Sequence, residues 1–422
     1  MRLQQLREYL RSSLWFIPAL AMAGALVLSV LSTAFDRRYD AGPLGFTGNP
    51  EAARTILQVI ATSILTFTAV VFTITIVVLQ LASSQFSPRV LRTFLRDRDS
   101  QVASAIFVST FAYALLELRA VRSDLEDDPG FVPRLSVTLA LVLVFVSLGV
   151  FVRYIHSIAQ SIRAVSIIDS VGDETRQLIE RLYPVGTGEA QPLVLAKTPT
   201  GRPDSVIVSP RQGVVIGYSQ DPLMRAAHRA DCFLRMVPAV GDFVPEGGPL
   251  FEVFGDGSRL GEVTRFVELG LERSMRQDVA FGFRQLVDIA ERALSPSIND
   301  PTTAVQVIDQ LHDLLRRLAQ RSFPPEEVLD EEGGVRLVVP AMTWEGYVSL
   351  AADEIRHYGE GSVQVARRLR AMVEDLQTVA PSTRLPALER QLKLLEAMVG
   401  RGFPDFVDQA LASTPDTQGH GS

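Results

Sequence analysis

The stretch TILQVIATSILTFTAVVFTITIVVLQLASS, residues 55–84, decides the class of this chain. It carries no charged side chain, and it is longer than the ~20 helical residues that cross a hydrocarbon core of ~30 Å. A lone segment in lipid can satisfy its backbone groups only within itself, so it reads as a helix, and it lacks the period-2 alternation of a barrel strand. Working outward, comparable apolar runs extend from Leu14 to Phe35, Val102 to Leu118 and Leu135 to Val152, and none follows in the rest of the 422 residues. The expectation is an α-helical membrane domain of four transmembrane helices followed by a large cytoplasmic α+β region.

The quoted span is unusually rich in hydroxyls for its depth. Thr55, Thr62, Thr66, Thr73 and Gln80 are spaced by seven, four, seven and seven residues, which sets them along one helical face near Val59 and Val70. Thr62, Thr66, Thr73 and Gln80 are therefore pore-lining candidates, because hydroxyls wet a conduction path without bringing a full charge into the bilayer. The competing reading is that these threonines bond their own i−4 carbonyls or a neighbouring helix. Thr68 and Thr75 add hydroxyls off the stripe. In the third span Ser104, Ser109, Thr110 and Tyr113 are polar, and Glu117 and Arg119 near its end read as side chains snorkelling to the interface. The fourth span runs on through RYIHSIAQSIRAVSIIDSVGDETRQLIERLYP without an obvious break before Pro184, as one helix coupling membrane to soluble part. His156 near its start reads as an interfacial polar residue.

Arginine placement orients the chain, since basic residues near short loops resist translocation. Arg2, Arg7 and Arg11, then Arg89, Arg92, Arg96 and Arg98, then Arg153 and Arg163 mark one side. On the other, Arg37, Arg38, Arg54, Arg119, Arg122 and Arg134 are diluted by Asp124, Glu126, Asp127 and Asp128. A multi-pass membrane protein with both termini cytoplasmic is expected. The first span is too long for a cleaved signal and reads as an anchor. Arg89, Arg92 and Arg96 share a helical face suited to anionic headgroups or to an anion-selective vestibule.

The soluble part divides by pattern. DSVIVSP, GVVIGYS, DCFLRMV and PLFEVF read as strands, and DPLMRAAHRA between them as a helix with Asp221 as cap and Pro222 as first residue. VGDFVPEGGPLFEV looks like the tight-turn hairpin of barrel-sandwich hybrid domains, with Gly241, Asp242, Gly247 and Gly248 in the turns. The biotinyl and lipoyl carriers of that group need a lysine at the hairpin tip, and no lysine lies between Lys197 and Lys393. No cofactor is expected. His228, Asp231 and Cys232 are explained by a helix end and a strand start without a metal. Farther on, Val279, Phe283, Leu286, Val287, Ile289 and Ala290 recur at helical spacing, opposite a polar face of Arg273, Gln277, Asp278, Arg284 and Asp288. In SPSINDPTTAV, Asp300 caps a helix that starts at Pro301. The polar corner of Ser297, Asn299, Asp300, Thr302 and Thr303 is the ligand-binding candidate, because exposed helix amides attract anions; capping explains the same residues. A strand VRLVVP precedes helices over Trp344 to His357, Ser362 to Val379 and Leu385 to Met398. The boundaries expected are 1–155 for the four-helix domain, 156–189 for the coupling helix, 190–265 for the β-domain, 266–412 for the helical domain and 413–422 for a disordered tail.

Composition narrows the function. A net charge of −7 and the lack of a basic stripe with interleaved aromatics argue against nucleic acid. The single cysteine, Cys232, excludes an intramolecular disulfide and a cysteine-rich zinc site. No GxSxG elbow, P-loop, HExxH or Cys pair occurs, so an enzyme is not expected. At SPSINDPTTAV and VVFTITIVVLQLASSQFSPR the chain resembles a bacterial family of predicted inner-membrane proteins, domain of unknown function 2254. The resemblance covers nearly the whole chain and implies membrane residence but no catalytic or binding residue. Two functions are expected to compete. One is an oligomeric ion channel or pore, in which the second spans of several copies enclose a path under control of a cytoplasmic regulatory domain. The other is a membrane-anchored sensor or scaffold that binds a cytoplasmic ligand or protein partner. The expected partners are the lipid bilayer, further copies of the chain, and a small ion or cytoplasmic ligand.

Overall fold

The computed structural model describes residues 16–39, 45–85, 98–122, 131–161, 163–186, 201–330 and 334–417. Arg2, Arg7 and Arg11, the stripe of Arg89, Arg92 and Arg96, the acidic run from Asp124 to Asp128, and the last five residues lie outside them. The chain divides into two compact units, residues 1–166 and 167–422.

In the first unit, helices α1 (Phe16–Arg38), α2 (Pro50–Gln85), α3 (Arg98–Ala120) and α4 (Arg134–Ser161) are long and apolar enough to cross a membrane. Their ends carry sequence-readable caps. Asn49 accepts the Ala52 amide at 2.9 Å ahead of Pro50, and the Asp36 carboxylate of α1 accepts the Leu135 and Ser136 amides of α4, each at 2.9 Å. The least apolar helix, α3, is the central one. It packs against the other three and has half of its most apolar window buried, against 17–22 % for its neighbours. This explains its composition: Ser100, Gln101, Ser104, Thr110 and Glu117 are buried among protein atoms, where a polar group finds partners that lipid lacks. Glu117, expected to snorkel, is wholly buried. The interior is filled by Phe67 stacked on Phe151 at 5.0 Å, with Phe107 at 6.3 Å from both rings. Outside, Leu20, Val27, Leu31, Val59, Phe72, Phe145 and Val152 are exposed, an apolar surface too extensive for water and suited to lipid.

The run expected as one helix to Pro184 is two helices: α4 ends at Ser161 and α5 spans Ala164–Leu182. In the second unit, α5 buries Ile167, Ile168, Val171, Leu178 and Ile179. All four expected strands are present as β1 (Ser205–Val208), β2 (Gly213–Tyr218), β3 (Phe233–Met236) and β5 (Pro249–Phe254). The helix between them, α6 (Gln220–Ala230), starts one residue before Asp221, with Ser219 at the cap position and Asp221 in the first turn. Short strands β4 (Phe243–Val244), β6 (Val267–Gly270) and β7 (Glu327–Leu329) join them, and VRLVVP supplies β8 (Val335–Val338).

The strands form a five-stranded sheet, β1-β5-β3-β8-β7, and a three-stranded sheet, β4-β2-β6. The tight turn after Val244 therefore does not close a hairpin: β4 pairs with β2 while β5 pairs with β1 and β3, so the turn carries the chain from one sheet to the other. β3 and β8 pair in parallel, Leu234 opposite Leu337, although about a hundred residues separate them. Val215, Leu223, Leu234, Phe251, Val253 and Leu337 lie in the core enclosed by the strands and α6.

The helical part comprises α7 (Val279–Ala293), α8 (Pro301–Ala319), α9 (Trp344–Tyr358), α10 (Val363–Val379), α11 (Leu385–Gly402) and α12 (Phe406–Ala412). Every apolar position expected on α7 is buried. Arg384 is 5 % exposed and donates to the carbonyls of Leu318, Ala319 and Arg321 at 2.8–2.9 Å, so a cation closes the carboxyl end of α8.

Candidate functional site

The hydroxyl stripe exists, and it faces away from its own bundle. Thr55, Thr62, Thr66, Thr73 and Gln80 are all exposed along α2, whereas Leu57, Ile64, Val71 and Val78 turn inward. Each threonine donates to the carbonyl four residues earlier: Thr62 to Gln58 at 2.9 Å, Thr66 to Thr62 at 3.0 Å and Thr73 to Ala69 at 2.9 Å. Those bonds satisfy the hydroxyl hydrogens and leave lone pairs on the surface. The off-stripe hydroxyls do the internal work instead. Thr75 meets the Tyr154 hydroxyl at 2.8 Å, and on α3 and α4 Thr110 meets Ser147 at 3.1 Å.

The second expected site is brought together as a capped corner. Asp300 accepts the Thr303 amide at 3.1 Å and its hydroxyl at 2.6 Å, with Pro301 leading α8. Asn299 sits in the left-handed region at φ 51°, which lets the chain turn from α7 into α8. Ser297, Asn299 and Thr302 are exposed. The amide end of α8 already holds a carboxylate, which repels a second anion.

A cleft of about 1720 Å³ in the second unit gathers Arg273, Gln277, Asp278 and Arg284, expected from the sequence on one polar helical face, with Tyr183, Tyr218 and Tyr347 from elsewhere in the chain. The ends of α5 and β2, the starts of α6 and α7 and the segment around β7 contribute its walls. Gln277 clamps the backbone of Tyr218, accepting from its N–H at 2.9 Å and donating to its carbonyl at 3.2 Å. Asp278 caps α7 by accepting the Phe281 amide at 3.0 Å and pairs with Arg273 at 2.8 Å. Burial pushes its carboxyl above the usual range, against the pull of Arg273. Gly241, at φ +99°, allows this pair, because a Cβ there would fall on the Arg273 guanidinium and the Asp278 carboxylate. Tyr183 and Tyr347 share a hydrogen bond of 2.8 Å at the back wall, and burial pushes the Tyr183 hydroxyl up to about 12. Arg284 reaches Asp288 at 2.6 Å, Glu291 at 2.8 Å and also Glu354. Burial pushes the Glu291 carboxyl up to about 7; a hydrogen bond with Glu354 acts in the same direction and Arg284 opposes it.

Away from the cleft, His312 bridges α8 and α10. Its Nδ1 lies 3.0 Å from Arg368, a permanent donor, so Nδ1 accepts and Nε2–H donates to Asp375 at 2.7 Å. Burial, seconded by Arg368, holds this imidazole below its usual range and therefore neutral. His228, Asp231 and Cys232 are separated in role. Asp231 ends α6 at φ 46° and pairs with Arg336 at 2.9 Å, while Cys232 is buried in the β-core, where burial pushes its thiol up.

Comparison with known proteins adds a family. A family model described as predicted membrane protein (DUF2254) matches residues 11–375. An uncharacterized protein of Mycobacterium bovis and one of Mycobacterium tuberculosis are each 34 % identical to this chain over 430 residues, covering 97 % of it and 80 % of the relative. No solved structure matches significantly.

Proposed function

The chain belongs to the DUF2254 family of predicted membrane proteins, and on that premise we propose that it is a non-enzymatic, homo-oligomeric ion channel of the bacterial inner membrane. In this reading both termini are cytoplasmic and the second unit is a regulatory domain. The observation that carries it is the outward direction of Thr62, Thr66, Thr73 and Gln80 along α2, where Gln58 and Ser63 are exposed as well. Copies that meet along α2 would turn four polar side chains per copy toward a shared path. A path through one chain has no room, because Phe67, Phe107 and Phe151 fill the bundle. The barrel-sandwich kinship of the β-part belongs to the same proposal.

The test is ion current across a planar bilayer containing purified protein, comparing the wild type with Thr66→Cys before and after a charged thiol reagent. Cys232 is replaced by alanine in both. Current blocked only in the Thr66→Cys variant supports the channel. Silence from folded oligomer across salts and voltages refutes it and leaves the second reading, a membrane-anchored sensor. That reading is favoured by one specific observation, the cleft of about 1720 Å³, whose size suits a ligand or a peptide.

A further inference from the structure

Glu117 has no counter-charge. It is 0 % exposed, three residues before the end of α3, and among the described residues no arginine, lysine or histidine pairs with it. An ionised carboxylate in that position carries a large desolvation cost that only neutral hydroxyls offset, so a proton or another cation is strongly favoured there. What surrounds it is oxygen. Thr33 Oγ1 lies 3.0 Å from Oε2 and 3.3 Å from Oε1, and Ser32 Oγ lies 3.3 Å from Oε1. Ser29 and Ser136 are buried beside them, and the Ser136 hydroxyl donates to Asp36 Oδ2 at 2.8 Å. Tyr113 OH is 2.9 Å from Ser32 Oγ and 3.3 Å from the Ser136 carbonyl, and Ser32 Oγ is 3.2 Å from the Ser29 carbonyl, so the hydroxyl protons have alternative acceptors. Ser29, Ser32 and Thr33 follow the i, i+3, i+4 spacing that places all three on one face of α1.

We propose that Glu117, with Ser29, Ser32, Thr33, Tyr113 and Ser136, binds one small monovalent cation, a proton or a sodium ion, between α1, α3 and α4. Hydroxyl and carbonyl oxygens are hard ligands suited to alkali ions rather than to thiophilic metals. One carboxylate balances one positive charge and would leave a divalent ion unbalanced in a low-dielectric interior. Hydroxyls rotate, so the same oxygens that donate to a bare carboxylate can turn lone pairs to an ion. Among the described residues, the other charged side chains at this end of the bundle are Asp36, Arg37 and Arg38 on α1, Glu51 and Arg54 on α2, Arg119 on α3 and Arg122 just after it, and Arg134 on α4. Asp36 is spent on the α4 amides, Arg37 lies over the Phe131 ring at 5.7 Å, and Arg54 donates to the Val121 carbonyl at 3.1 Å. Occupancy would tie α1 to α3 and α4. The site lies inside the bundle and does not depend on the α2 stripe.

The experiment uses the full chain in lipid nanodiscs, with sodium exchanged for choline at constant ionic strength, from about pH 5 to about pH 9, a range that brackets a buried carboxyl. The thermal midpoint and the infrared band of the protonated Glu117 carboxyl are read for wild type, Glu117→Gln and Thr33→Val. A midpoint that rises with sodium, with loss of the protonated band, identifies sodium as the ligand. A band and midpoint that respond to pH alone identify the proton. In either case the response is lost in Glu117→Gln and weakened in Thr33→Val. Should Glu117→Gln fail to fold, the wild-type band and Thr33→Val decide. A carboxyl band that neither sodium nor pH moves, together with a Thr33→Val midpoint that follows the wild type under every condition, overturns the proposal.

Discussion

Replacing Glu291 with glutamine should stabilise the second unit above neutral pH, although it deletes an ion pair with Arg284. In the fold, burial and the hydrogen bond to Glu354 raise the Glu291 carboxyl from an ordinary 4.5 to about 7. Below about pH 4.5 both folded and unfolded chains hold this proton and the group is neutral to stability. As pH rises from about 4.5 to about 7, the unfolded chain releases the proton while the folded chain keeps it, so wild-type stability falls; above about 7 the loss is complete. At about 1.4 kcal/mol per pH unit the fall is about 3.5 kcal/mol. With Glu291 22 % exposed and Glu354 48 % exposed, solvent screening trims the expected value to about 1–3 kcal/mol. Glutamine keeps the neutral shape, so it should match the wild type near pH 4 and exceed its stability by that amount near pH 8. The assay is denaturant unfolding of the full chain in detergent, followed by emission of the buried Trp344 after Trp15, the other of two tryptophans, is replaced by phenylalanine. A Glu291→Gln variant less stable than the wild type at pH 8 would refute the reasoning, since Arg284 would then hold the ionised Glu291 more favourably than water does in the unfolded chain.

The same assay checks three further substitutions. Asp300→Ala removes the carboxylate that caps α8 and should lower stability by about 1 kcal/mol, with Asp300→Asn recovering most of it. Gly241→Ala puts a side chain at φ +99° against Arg273 and Asp278; a loss above about 1 kcal/mol is expected, and a neutral result would mean that the turn relaxes freely. Leu234→Ala, at a fully buried position where β3 meets β8, should cost about 2–5 kcal/mol, and a loss below about 1 kcal/mol would show that the parallel pairing is loosely packed.

The membrane helices, the strands β1, β2, β3 and β5, the buried face of α7 and the Asp300 cap were legible in the sequence because each is a local property. A charge-free run of about 20 residues, an alternation or an Asp-Pro start acts within one or two turns of chain. The direction of the threonine stripe was half legible. Seven- and four-residue spacing places Thr62, Thr66 and Thr73 on one face, but which face meets the other helices depends on α3 occupying the centre of the bundle. The apolar content of α2 is high all round, so its periodicity carried no such choice.

Glu117 shows the limit most clearly. Its sequence signal, an acid near the end of an apolar run, is the same for a side chain that snorkels to water and for one enclosed by Ser32, Thr33 and Tyr113 from helices far apart in sequence. Only the packing of α1 against α3 distinguished them. The cleft brings Asp278 and Arg284, which the sequence placed on one polar face, to Tyr183 and Tyr347, which no local pattern links to them because their elements are made neighbours only by the fold. The amino-acid order by itself determined the four apolar helices, the mixed α/β region that follows them and most of the helix and strand positions, because hydropathy, period and capping are short-range. The parallel pairing of β3 with β8, the passage of the Pro245–Gly248 turn between two sheets, the burial of Glu117 and the outward threonines were decided by tertiary structure alone, because each depends on contacts between segments that the chain order leaves unpaired.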